Sequence, residues 1–132
     1  MDRINSAAAL RRLHKNVSTT ATVLAAADPS AAPLVACPGA KYTIFVQRIV
    51  VVTTTDNVAT LTFRDDAGTP VVIAATKASP GVGTVTLLDV DEGVPLTEGK
   101  DLDLAASGAC LAGTVVVEAY AKLTATATAS DI

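Results

Sequence analysis

Residues 113–124 read GTVVVEAYAKLT. Val115, Val117, Ala119, Ala121 and Leu123 alternate there with Thr114, Glu118, Tyr120 and Lys122. A period of two puts the apolar members on one face of a strand and the polar members on the other. That is the pattern of an antiparallel sheet with one face buried and one in water. The same alternation runs through Tyr42, Ile44 and Val46, slips at Gln47-Arg48, and resumes at Ile49 and Val51. A one-residue slip inside a strand predicts a β-bulge. The run from Gln47 to Thr53 is rich in β-formers and low in charge. Exposed, it would be sticky, so it is expected to be a central strand.

Similar segments lie on either side. Ala59, Leu61 and Phe63 point one way, opposite Thr60, Thr62 and Arg64. Asp65-Asp66-Ala67-Gly68-Thr69 is a hairpin signal, because Asp and Gly suit the backbone angles of tight turns, and Val71 to Ala75 returns. Ser79-Pro80-Gly81 breaks the chain before Val85 and Leu87; Gly93 and Pro95 flank a short segment that Gly99 ends. Leu102, Leu104 and Ala106 alternate with Asp101 and Asp103, and Ser107-Gly108 turns. Upstream, Val17, Thr19, Ala21, Val23 and Ala25 alternate with Ser18, Thr20 and Thr22; Thr55-Asp56-Asn57 and Cys37-Pro38-Gly39 read as turns. The expectation is an all-β fold: a single β-sandwich or jelly-roll-like domain of about eight antiparallel strands, with turn signals every ~8–12 residues. The sandwich is expected over 17–124, after a short arm or helix at 1–16 and before a Thr/Ala tail at 125–132. Ser6 as N-cap, with Ala7, Ala8, Ala9, Leu10 and Leu13, would favour a helix; the alternative is an arm that orders on a partner.

The chain's 132 residues suit one domain. Half of them are hydrophobic, yet only 3% are aromatic and there is no Trp. Such a core is filled by Val, Leu, Ile and Ala, which leaves a domain of this size modestly stable and predicts further burial by oligomerisation or docking. The net charge of −3 argues against direct nucleic-acid binding, which needs Lys and Arg to neutralise phosphates. No run approaches the ~20 apolar residues of a membrane span, so no membrane is expected. The polar Ser18, Thr19, Thr20 and Thr22 make the stretch after Arg11-Arg12 a poor export signal. Charge is segregated, however: Arg3, Arg11, Arg12, His14 and Lys15 crowd the first sixteen positions and the later chain is acidic. Arg3, Ile4, Leu10, Arg11, Arg12, Leu13 and Lys15 are therefore the candidate partner-binding residues. Tyr120, beside Glu118 and Lys122 on the polar face, is a candidate oligomer-interface anchor.

Catalytic patterns are weak. His14 is the single histidine and sits in the basic segment, where it reads as a solvated or partner-facing cation. There is no CxxC, and Cys37 and Cys110 read as two buried free thiols, although they could pair. Asp65-Asp66, Asp89-Asp91-Glu92 and Asp101-Asp103 are the carboxylate groups; they read as turn formers and a solvated sheet face, and none forms an EF-hand loop. Gly81-Val82-Gly83 lacks the third glycine and the helix of a phosphate loop. No enzyme activity, metal or cofactor is expected.

The cadence Gly93-Val94-Pro95-Leu96, Gly99-Lys100-Asp101-Leu102-Asp103-Leu104, Ser107-Gly108 and Val115-Val116-Val117-Glu118-Ala119-Tyr120 resembles the closing strands of small β-sandwich proteins in tailed-bacteriophage virions. Head decoration (cement) proteins are the nearest group, similar over 42–124 in style and 93–120 in motif. The resemblance implies a virion structural protein, made in the host cytoplasm: a homotrimer on the outer capsid that clamps neighbouring major capsid subunits. The other readings are a binding module of a tail fibre or baseplate, and a bacterial adhesin or pilin-like subunit.

Overall fold

A computed structural model describes residues 14–21, 33–53, 60–75, 82–106 and 113–123. All regular structure among them is strand: β1 His14–Asn16, β2 Thr19–Ala21, β3 Tyr42–Thr53, β4 Leu61–Asp65, β5 Val72–Ala75, β6 Gly83–Pro95, β7 Leu102–Ala106 and β8 Gly113–Leu123. They form two antiparallel sheets, one ordered β1-β8-β3-β6 with β2 also on β8, the other β5-β4-β7. The protein is a β-sandwich of about the expected strand number. The two sheets share one core, in which Ile44, Val46, Ile49 and Val51 of β3 and the inward residues of β8 meet Leu61, Phe63, Leu102 and Leu104. The alternation in 113–123 is the observed burial pattern of β8, every odd residue from Gly113 to Leu123 being buried.

The slip at Gln47 is a bulge. The β3–β8 register runs Val46↔Ala119 and then Arg48↔Glu118, leaving Gln47 without an opposite residue. The extra residue returns Ile49 and Val51 to the buried face after Ile44 and Val46. The hairpin at 65–69 is also present, joining β4 to β5.

Three expectations need correction. The sheet already includes residues 14–16, expected to belong to an arm: β1 pairs with the end of β8 (His14↔Lys122, Asn16↔Tyr120), and β2 continues in the same register (Thr19↔Val117). The two segments form one edge interrupted at Val17-Ser18, where Ser18 Oγ accepts the Ala119 N–H at 3.1 Å. Lys15 is thus a strand residue, its ammonium 5.0 Å above the Tyr42 ring, rather than part of a separate arm. Second, Gly93 and Pro95 do not bound a separate segment; β6 runs through both to Pro95. An edge position tolerates them, since a proline lacking an N–H costs nothing where no neighbour accepts from it. Third, Asp103 is buried rather than on a solvated sheet face, and Asp65, a turn former as expected, is buried as well. Arg3, Ile4, Leu10, Arg11, Arg12, Leu13, the helix expected from Ser6, Cys110, the turns at 55–57, 79–81 and 107–108, and the tail lie outside the described residues.

Candidate functional site

The bulge in β3 organises the outer face of the larger sheet. Opposite Gln47, β6 carries the excess residues Val90 to Gly93 between the pairs Arg48↔Asp89 and Val46↔Val94. This loop-out is pinned at two carbonyls: Gln47 Nε2 donates to Asp91 O at 2.7 Å, and the Tyr120 hydroxyl donates to Glu92 O at 2.8 Å. Gly93 closes it at φ +84°, where a Cβ would lie 2.8 Å from Phe45 Cβ. Only glycine accepts both the angle and the approach.

Across the same face three rings stack along the strand order β1-β8-β3. Phe45 and Tyr120 lie 5.1 Å apart at 7°, and His14 and Tyr120 lie 5.8 Å apart at 21°. Tyr120, the candidate interface anchor, is partly buried between its two neighbours, with its hydroxyl engaged within the chain. Beside it an open groove of about 620 Å³ is bordered by His14, Asn16, Thr20, Gln47 and Glu118. Glu118 also pairs with Arg48 at 3.8 Å; both side chains are about half exposed, so the pair adds little to stability.

A second polar group sits on the smaller sheet. The Asp65 carboxylate accepts from the N–H groups of Ala67, Val71 and Thr97 and from the Thr97 hydroxyl, the last at 2.6 Å. Asp101 accepts the Cys37 N–H at 2.6 Å, and Asp66 accepts the Asp101 N–H at 2.8 Å. These carboxylates tie the 65–71 hairpin to the 96–101 loop and to the 37–42 turn. Cys37 is a free thiol whose Sγ donates to Gly39 O at 3.2 Å. Burial, and then the nearby Asp101 and Asp66, push the thiol up, against the opposing hydrogen bond to Gly39. Among the described residues no group of three or more His, Cys, Asp or Glu is placed to hold a metal ion.

Asp103 is 8% exposed. Burial pushes its carboxyl above the ordinary aspartate range, and Asp66, Asp101 and Asp65 add to this against a partial opposing pull from Arg64. A carboxyl raised in the folded state stabilises the fold only while protonated, and that contribution is lost as pH rises through the folded value. Asp103→Asn is therefore expected to raise the melting temperature by a few degrees at pH 7 and to leave it unchanged near pH 3. A lower melting temperature at pH 7 would show that the charge is compensated.

The flank where β5 and β6 form the sheet edges is apolar and uncovered. Val71, Val72, Val82, Val85 and Val90 are all exposed, Val82 to 63%. Val85 pairs with the buried Val51 yet is 41% exposed. Among the described residues the second sheet is the narrower: its edge strand β5 has four residues against thirteen in β6. The alternation of a strand reveals which face is apolar but not how wide the opposing sheet is, and the flank was not legible in the sequence for that reason. Among family models, curated proteins and solved structures, none matches this chain.

Proposed function

We propose that this chain is a capsid decoration, or cement, protein of a tailed bacteriophage, a homotrimer that binds the outer surface of the major capsid shell and stabilises the head. The observation that supports this reading most is the uncovered valine flank of β5 and β6. Five exposed valines on two neighbouring edge strands of a small domain are apolar surface of the kind that other protein covers. A rigid sandwich with pinned loops and an aromatic stack is suited to presenting such a surface, and three linked copies engaging several shell subunits gain avidity without new chemistry. The cadence at 93–120, which resembles that of decoration proteins, points the same way. The reading assigns the chain no catalytic step and no cofactor.

Quantitative mass spectrometry of purified virions tests it. Copies in proportion to the major capsid protein are expected. A handful per particle would make the chain a tail-fibre or baseplate module, and absence from the virion would overturn the reading. Because β1 belongs to the sheet, the anchoring role of the basic segment is tested by a cut before His14. Deleting residues 1–13 is expected to preserve the β-type circular dichroism spectrum and the oligomer and to weaken binding to stripped capsids. Undiminished binding would move the contact to the sandwich itself.

A further inference from the structure

We infer that copies of this chain associate head to tail, the acidic β6 edge of one against the basic β1 edge of the next. The inference rests on the proposed trimer and names its contact surfaces. Among the described residues the larger sheet ends at β1–β2 on one side and at β6 on the other. Their charges are opposite and unmixed. β6 carries Asp89, Asp91 and Glu92 and no cation; β1 and β2 carry His14 and Lys15 and no carboxylate. Lys122, opposite His14 on β8, adds to the basic side, and the carboxylate of the same strand, Glu118, is paired with Arg48. Asp89, Asp91, Glu92, Lys15 and Lys122 are all exposed.

The acidic side is held ready. Gln47 and Tyr120 grip the carbonyls of Asp91 and Glu92, leaving both side chains on a fixed backbone. Preorganised charges lose less freedom when they meet a partner. Val85 and Val90 on the same strand supply apolar area for the contact. Strand addition at the basic edge is opposed at the break between β1 and β2, where the Ser18 N–H is taken by Asn16 Oδ1 at 2.9 Å. The edges therefore meet through side chains rather than as one continued sheet.

Symmetry narrows the arrangement. A two-fold dimer through β6 would set Asp89, Asp91 and Glu92 against their own copies, and one through β1 would set Lys15 against Lys15. Like charges across an interface oppose association. Acidic edge on basic edge is a heterologous contact, which closes into a ring when the rotation allows; a trimer is such a ring.

The test uses the full chain, with light scattering and native mass spectrometry at micromolar concentration. Asp91→Lys with Glu92→Lys reverses the acidic edge, and Lys15→Glu with Lys122→Glu reverses the basic edge. Asp89 is left in place because it faces Arg48. Each reversal alone is expected to weaken self-association by about tenfold or more. All four changes in one chain restore complementarity and are expected to restore the oligomer. Self-association of the unmodified chain should also weaken as salt rises, which needs no variant. A monomeric unmodified chain would overturn both this inference and the trimer. An oligomer indifferent to salt and to both reversals would overturn the edge contact and leave the trimer standing. Loss in both single reversals without recovery in the combined chain, with circular dichroism unchanged, would also overturn the pairing of these edges.

Discussion

Asp65→Ala is expected to destabilise the sandwich by about 3–5 kcal/mol, because it removes a buried carboxylate and leaves four hydrogen-bond donors unsatisfied, each at about 1–3 kcal/mol before relaxation. The side chain is fully buried at the end of β4. Oδ1 accepts from Ala67 and Val71 within the hairpin, and Oδ2 accepts twice from Thr97 in the loop after β6. Alanine leaves those donors without an acceptor. Asp65→Asn is not a conservative rescue, because whichever position takes the amide nitrogen would face N–H donors. Burial raises this carboxyl, but the hydrogen bonds from Thr97, Val71 and Ala67 outweigh it and hold it below the ordinary aspartate value. A lowered folded value gives stability that is full above the unfolded value of about 3.9 and is lost as pH falls through the folded one. The gap between wild type and Asp65→Ala should therefore be widest at neutral pH and narrow on acidification. Urea unfolding followed by circular dichroism at a series of pH values measures it. Equal midpoints at pH 7 would show that the four hydrogen bonds carry no net stability.

Gly93→Val should be the next most costly change, at about 2–4 kcal/mol, combining a residue forced to positive φ with overpacking against its neighbour. The added Cβ would meet Phe45 Cβ at 2.8 Å and its carbonyl carbon at 3.1 Å. Phe45 stacks on Tyr120, which holds Glu92, so the strain reaches the element that presents the acidic edge. Two readouts are expected to move together: a lower melting temperature and weaker self-association. Gly68→Ala is the control, because a Cβ there meets nothing within 4 Å. A Gly93→Val chain as stable as the Gly68→Ala chain would mean that β6 relaxes around the bulge at no cost.

The alternation in 113–123 and 42–53 suffices for strand type, for the buried face and for the bulge at Gln47. Side chains on a pleated strand change face at every residue, so burial is written directly into neighbouring positions. Asp-Gly chemistry likewise reveals the 65–69 turn, because the backbone angles required are local. The basic character of the first residues is also plain in the sequence, but its continuation into a sheet edge at His14 and Lys15 is not.

What escaped the sequence depends on partners far along the chain. Asp65 is a turn former as its sequence context says, through Ala67 and Val71, but its other two donors come from Thr97, thirty-two residues on. Asp103 alternates with two leucines as a solvated residue should, yet the acidic residues brought to it from other segments, and its burial, reverse that reading. Gly93 and Pro95 read as strand breakers until β6 is placed at an edge, where a missing N–H and a looped-out turn are both allowed. Tyr120 shows its polar-face position in the sequence but not the rings on either side of it, which belong to β1 and β3. Residue order specifies which atoms each strand offers. Which strands become neighbours, and which valines of β6 stay exposed, is decided only when the two sheets close on one core, because those contacts join residues that no local pattern relates.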